Sequence, residues 1–257
     1  MPHQIIAIPA LHDNYIWAIV HAKSRCALVI DPGEAEPVLH WLKDQQLQLI
    51  AILITHHHWD HTNGIPDLLQ TYPVPVYAPA KDTVTHCTHP VKEGDTVSLP
   101  KMALCFNVLK IPGHTLGHIA YQEKLWVFTG DTLFTGGCGR LFEGTPDQLY
   151  HSLDKLAHLS PKIRVYCGHE YTVNNLSFAL QVEPNNFNLK RRAAEAERTR
   201  ANGFPTVPST LGLELRTNPF LRCHLPEIQR AVEMYCGQPL ADTVAVFAAL
   251  RRWKDEF

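Results

Sequence analysis

The chain has 257 residues, 45% hydrophobic, 19% charged and 9% aromatic, with a formal net charge of −2. That length suits one large domain or one with a smaller annex, and the composition excludes disordered, collagen-like and coiled-coil classes. The near-neutral balance argues against a surface built to grip nucleic acid, and the longest apolar run, Val244–Leu250, falls far short of the roughly 20 residues of a membrane span. Seven scattered cysteines with no C-x-x-C pair predict free thiols in a reducing, cytoplasmic setting. His12, Asp13 and Asn14 interrupt the apolar N-terminal stretch, so no secretory signal is expected. Only the 16 histidines stand out.

In chain order, short runs rich in β-branched and aromatic residues predict strands at Ile5–Ile8, Tyr15–Val20, Cys26–Ile30, Leu49–Ile54, Met102–Leu109, His118–Gln122, Leu125–Phe128 and Ile163–Cys167. Amphipathic stretches between them predict helices over Glu34–Gln46, Ile65–Thr71 and Pro146–His158. The last has Thr145 as N-cap and Pro146 at the first helical position. Beyond Thr172 the pattern turns helical, over Leu176–Leu180, Phe187–Ala201, Pro226–Cys236 and Asp242–Trp253, with no strand expected. Lys plus Arg number 12 against 16 Asp plus Glu up to residue 170, and 11 against 9 after it, so the second part is net positive. A β-rich domain over residues 1–172 with a helical domain over 173–257 is the expected organisation.

Directly after the run Leu49–Ile54 comes Thr55-His56-His57-His58-Trp59-Asp60-His61. Within it, His56, His58, Asp60 and His61 form H-x-H-x-D-H. In extended chain, residues two apart point the same way, so His56 and His58 can serve one ion while His57 points elsewhere. Asp60 and His61 follow where the chain turns towards a helix and can reach a second ion. Three further ligand-type residues share one grammar, in which an apolar strand ends, a glycine lets the backbone turn, and the ligand follows: His114 after Gly113, Asp131 after Gly130 and His169 after Gly168. His118 reads as a residue supporting a ligand or the fold. The remaining histidines need no function.

Seven candidates exceed the needs of one tetrahedral ion. They suit two divalent ions, with His56, His58 and His114 on one, Asp60, His61 and His169 on the other, and Asp131 bridging. Zinc is the first expectation, and iron or manganese suit the same imidazole and carboxylate set. Such a pair activates water at neutral pH. The chain has no G-x-S-x-G, H-E-x-x-H, Walker A or G-x-G-x-x-G signature, so metal-assisted hydrolysis is the expected reaction class.

With these residues in place, the chain resembles the metallo-β-lactamase superfamily. More narrowly it resembles the glyoxalase II family along nearly all its length, on Asp13–Trp17, Asp31–Ala35, Thr55–His61, Gly113–His118, Gly130–Phe134, Gly136–Arg140, Gly168–Thr172, Asn218–Arg222 and Arg251–Asp255. The resemblance implies an α/β protein with an αββα sandwich and a C-terminal all-helical domain. It also implies hydrolysis of S-(2-hydroxyacyl)glutathione, chiefly S-D-lactoylglutathione, to glutathione and D-lactate, the second step of methylglyoxal detoxification. A hydroxide bridging the metals would attack the thioester carbonyl, with Asp60 and Asp131 orienting it. Arg140, Tyr171, Arg251 and Lys254 occupy the positions that bind glutathione. Phe142 stands where some relatives have Tyr. The expected partner is the small-molecule substrate alone, and the chain is expected to be a monomer. The alternatives are another hydrolase of the superfamily (a lactonase, β-lactamase or phosphodiesterase), a di-iron reductase, or a non-catalytic metal-binding protein.

Overall fold

In the first sheet, β1 (His3–Ala10) pairs antiparallel with β2 (Asn14–His21), and β2 with β3 (Cys26–Ile30). From β3 onward the pairing is parallel, and helices fill two of the connections. After α1 (Glu36–Asp44) comes β4 (Gln48–Leu53). After α2 (Trp59–Thr62) and α3 (Ile65–Thr71) come β5 (Val76–Pro79) and β6 (His89–Val91). The strand order is therefore β1-β2-β3-β4-β5-β6. Every residue of β3 is buried, the signature of a parallel strand covered on both faces. Val38 and Leu42 of α1 share one core with Ile65 and Leu68 of α3, and with Val29 and Ile52 of the sheet.

This is a computed structural model, and it describes residues 3–257. The chain forms two compact units, one running up to Lys110 and resuming over Leu116–Gly130, the other comprising Ile111–Thr115 and Asp131–Phe257. The first unit also holds an antiparallel ladder of β7 (Thr96–Leu99), β8 (Leu104–Lys110), β9 (Ile119–Gln122) and β10 (Trp126–Gly130). Tyr121 of β9 ties this ladder to the first sheet by donating its hydroxyl to the carbonyls of Ile54, at 3.0 Å, and Tyr77, at 3.1 Å. Burial holds that phenol protonated, its pKa well above the usual tyrosine value.

The second unit begins with a two-stranded ribbon of β11 (Leu133–Phe134) and β12 (Gly137–Cys138). Next is α4 (Pro146–Ala157), whose N-terminus is a reciprocal capping box. Gln148 N–H donates to Thr145 Oγ1 at 3.2 Å, and Thr145 N–H donates to Gln148 Oε1 at 3.0 Å. Then follow β13 (Arg164–Cys167), α5 (Thr172–Val182), α6 (Phe187–Ala201), β14 (Ser209–Thr210), α7 (Leu211–Thr217), α8 (Pro226–Cys236) and α9 (Thr243–Glu256). Leu176 and Ala179 of α5 pack on Leu189, Ala193 and Ala196 of α6.

Most predicted elements form within a few residues of their expected limits, and Cys26–Ile30, Ile65–Thr71, Phe187–Ala201 and Pro226–Cys236 match end to end. The expectation of no strand beyond Thr172 is corrected by β14, which pairs Ser209 and Thr210 with Val165 and Arg164 of β13. Two residues carry no periodicity, so only the partner strand defines them. The compact units divide at Gly130/Asp131. Ile111–Thr115 joins the second unit because Ser152 Oγ donates to Pro112 O at 2.6 Å and Gly144 N–H to Gly113 O at 3.0 Å. All seven cysteines are free thiols. Among the described residues, no helix is long and apolar enough to cross a membrane.

Candidate metal and substrate site

In the first unit, the chain leaves β4 and delivers four donors before and within α2. His56 is fully buried and His61 nearly so. The nitrogens His56 Nε2 and His58 Nδ1 lie 3.1 Å apart, as two imidazoles aimed at a shared point would. Asp60 Oδ2 lies 3.4 Å from His61 Nε2. His57 faces elsewhere, with its ring Nδ1 3.0 Å from Asp82 Oδ2. His118 stacks flat on His56, with centroids 4.5 Å apart and planes 15° from parallel, and its Nδ1 meets Ile119 O at 3.1 Å.

Two residues without a sequence-derived role support these donors. Asp31 accepts from Thr55 N–H and Thr55 Oγ1, both at 2.7 Å, and its Oδ2 lies 3.1 Å from His61 Nδ1. A carboxylate on Nδ1 directs the other ring nitrogen, Nε2, towards ligand duty. Asn14 Nδ2 donates to Asp60 Oδ2 at 3.0 Å and to Asp60 O at 3.3 Å, fixing that carboxylate. Both lie in segments that carry the family resemblance, but nothing in their spacing points to these contacts. Gly130 closes the same neighbourhood at φ +47°. A Cβ there would lie 2.3 Å from Thr55 Oγ1 and 2.8 Å from the His118 ring.

The second unit brings His114, Asp131 and His169 together. Asp131 Oδ2 lies 3.2 Å from His169 Nε2 and 3.6 Å from His114 Nε2, and all three residues are buried. His114 Nδ1 lies 2.9 Å from Arg140 O, which turns Nε2 towards the carboxylate. Tyr171 stacks on His169 with centroids 4.7 Å apart and planes 5° from parallel. Gly113, at φ +146°, lets the chain pass against α4, where any Cβ would meet Leu149 Cβ at 2.5 Å. In each unit the donors are imidazole nitrogens and carboxylate oxygens only, a set that fits divalent zinc, iron or manganese. Within the first unit, Asp31, His56 and His61 present ligand atoms within 4.8 Å of one another. These clusters are able to hold metal ions.

A cavity of about 350 Å³ opens beside the second set of donors. His114 and Asp131 line it together with Arg140, Tyr171, Arg251 and Lys254, so the structure gathers all four residues expected to bind substrate. Cys138, Asn174, Asn175, Phe134 and Phe142 complete the wall; of these the resemblance points only to Phe142, which stands where some relatives have Tyr. Phe142 sets its ring edge against His114, at 5.2 Å. Arg251 is only 4% exposed; its Nη1 donates to Cys138 O at 2.9 Å and its Nη2 to Asp255 Oδ1 at 3.0 Å. Lys254 donates to Asn174 Oδ1 and lies over the Phe257 ring, 4.9 Å from its centroid. Burial, then the charges of Arg251 and Arg140, lowers its pKa to about 8. Burial pushes the Cys138 thiol up to about 11, so at neutral pH the cavity contains a thiol and not a thiolate.

Comparison with known proteins agrees with this geometry. Residues 13–169 match the model of the metallo-beta-lactamase superfamily, and residues 170–257 that of the hydroxyacylglutathione hydrolase C-terminus. A hydroxyacylglutathione hydrolase from Alkalilimnicola ehrlichii is 56% identical over 98% of this chain and 99% of its own. The chain belongs to the hydroxyacylglutathione hydrolase family. Among solved structures, ETHE1 from Myxococcus xanthus superposes with a TM-score of 0.66 at 25% identity, covering 99% of this chain and 98% of its own. TTHA1623, solved in a di-iron-bound form, superposes with a TM-score of 0.58 at 28% identity, covering 85% of this chain and 100% of its own. The fold is thus the metallo-β-lactamase fold with a C-terminal helical region, as the resemblance implied.

Proposed function

We infer that this chain hydrolyses S-(2-hydroxyacyl)glutathione thioesters, chiefly S-D-lactoylglutathione, to glutathione and D-lactate. Family membership supports the reaction. The observation that carries it to these residues is the single cavity in which His114 and Asp131 stand with Arg140, Lys254 and Tyr171. Glutathione bears two carboxylates, and a wall with three cations suits it better than an uncharged lactone.

Two divalent ions, zinc first, would be held by His56, His58 and His114 and by Asp60, His61 and His169, with Asp131 available to both. Support comes from the donor chemistry in each unit and from the di-iron form of TTHA1623. Bound divalent metal lowers the pKa of water towards 7 and polarises a carbonyl oxygen. Asp60, anchored by Asn14, and Asp131 orient the attacking water by accepting its hydrogen bonds. Arg140 and Lys254 take the carboxylates of the glutathione moiety, Arg251 props the wall they stand on, and Tyr171 lies between that moiety and His169. The departing thiol has a pKa near 8.5, so the chain needs no dedicated general acid.

The division of labour follows residues 1–172 for the metal ligands and 173–257 for much of the glutathione site, close to the junction of the two family models at 169/170. Seven free cysteines suit a reducing cytoplasm, and the chain acts as a monomer, which light scattering checks. The decisive experiment follows thioester loss from S-D-lactoylglutathione. Chelators should abolish turnover and added metal should restore it. Absence of turnover by protein shown to carry two metal equivalents would sink the reading.

A further inference from the structure

Behind two arginines of the proposed glutathione site stands an anion that the proposed function does not employ. Asp255, near the end of α9, places one carboxylate oxygen against two guanidinium groups. Its Oδ1 accepts from Arg251 Nη2 at 3.0 Å and lies 3.3 Å from Arg140 Nε. The two arginines differ in freedom. Arg251 is buried, held on Cys138 O and stacked over the Phe220 ring at 5.1 Å. The Arg140 side chain is 63% exposed, and among the described residues its guanidinium has no ion-pair or hydrogen-bond partner besides Asp255.

We propose that Asp255 is a positioning residue for substrate recognition, linking the buried Arg251 to the exposed Arg140 so that Arg140 presents its two Nη groups to a substrate carboxylate. An arginine on a surface loop has several rotatable bonds, and ordering it at the moment of binding costs affinity. Engaging Nε with Asp255 restricts the side chain beforehand and leaves the Nη edge for a carboxylate. Asp255 is itself an anion in a site meant for an anion. Its simple Coulomb effect therefore opposes binding, and removing it would by that effect alone tighten the substrate. At a partly exposed position this repulsion is screened. The ordering of Arg140 is the larger effect, which fixes the sign of the prediction.

This inference rests on the glutathione-thioester reading, and the test separates the two. With the full-length, metal-loaded protein, Asp255→Asn should raise KM for S-D-lactoylglutathione by about fivefold while kcat stays within about twofold, the scale of one partly exposed ion pair. Asp255→Glu should return KM to within about twofold of the parent. With the lactoyl thioester of N-acetylcysteamine, which has no carboxylate, Asp255→Asn and parent should have equal kcat/KM. In an Arg140→Gln background, Asp255→Asn should add nothing further to KM. An unchanged or lowered KM overturns the proposal, as does an equal loss on the carboxylate-free thioester, or full additivity with Arg140→Gln. No turnover of S-D-lactoylglutathione by the parent protein would instead overturn the functional reading beneath it.

Discussion

Individual side chains in this molecule act mainly through a second residue. Glu214 is fully buried, accepts from Gly136 N–H at 2.9 Å and from Asn218 Nδ2 at 3.1 Å, and pairs with the buried Arg192. It thereby anchors the β11–β12 turn that precedes Cys138 and Arg140. Glu214→Ala leaves the Arg192 charge buried without its counter-ion, and a loss of about 3–5 kcal/mol is expected in urea unfolding. A loss under 1 kcal/mol would contradict that role. Lys254 supplies a pH signature. Its pKa is lowered from 10.5 to about 8, by burial first and then by Arg251 and Arg140, while Asp255 opposes the shift. The ammonium is charged below that value and neutral above it. Its attraction for a carboxylate is therefore complete at pH 7 and lost as pH rises through about 8. The Kd of an S-alkylglutathione should weaken over that window, and Lys254→Met should flatten the dependence.

At the level of elements, the recurring device is a strand that ends and releases a ligand-type residue. β4 precedes His56, β8 precedes His114, β10 precedes Asp131 and β13 precedes His169. This grammar was readable because strand periodicity, a glycine and a donor residue are all local features. The supporting contacts were not. Asp31 meets Thr55 across 24 positions of sequence, and Asn14 meets Asp60 across 46. Short elements escaped for a related reason. β11, β12 and β14 have two residues each, too few for any period, and exist only through their partners. The α4 terminus lies at the opposite extreme, since Thr145, Pro146 and Gln148 declare it locally. Thr145→Ala removes the hydroxyl that accepts from Gln148 N–H while the backbone N–H of residue 145 can still donate to Gln148 Oε1, and a loss of about 1 kcal/mol is expected in chemical denaturation. The α4 to Pro112 hydrogen bond and the KM should be unaffected, so a large KM change would mean that α4 positions the cavity more directly.

For the whole molecule, metal and fold are expected to be separable. Each unit has its own apolar core, one around Val29, Val38 and Ile52, the other around Leu176 and Leu189. Neither core includes a donor residue. Chelator-treated protein should therefore keep its far-ultraviolet circular dichroism while its Tm falls, because metal that binds only the folded state adds about 3–4 kcal/mol at 100 to 1,000 times its Kd. Re-addition of metal should restore the Tm. An unchanged melting curve after verified metal loss would mean that the metal had no preference for the folded over the unfolded chain, against binding at the histidine clusters.

The sequence by itself singled out the candidate donors, the strands that precede them and the family, because residue type, period-two spacing and glycine position are properties of neighbours along the chain. The 16 histidines that make its composition unusual are sorted by those properties alone into five proposed ligands, one supporting residue and ten others. The tertiary structure decided which residues hold those donors and the cavity wall in place. Arg251 is buried and donates to Cys138 O and Asp255, Asp255 lies against both Arg251 and Arg140, Asp31 meets His61, and Asn14 meets Asp60. Each of these contacts is a hydrogen bond or ion pair whose partner is set by packing. Arg140 and Asp255 are more than 100 positions apart in sequence, and only the folded chain brings their charges within 3.3 Å.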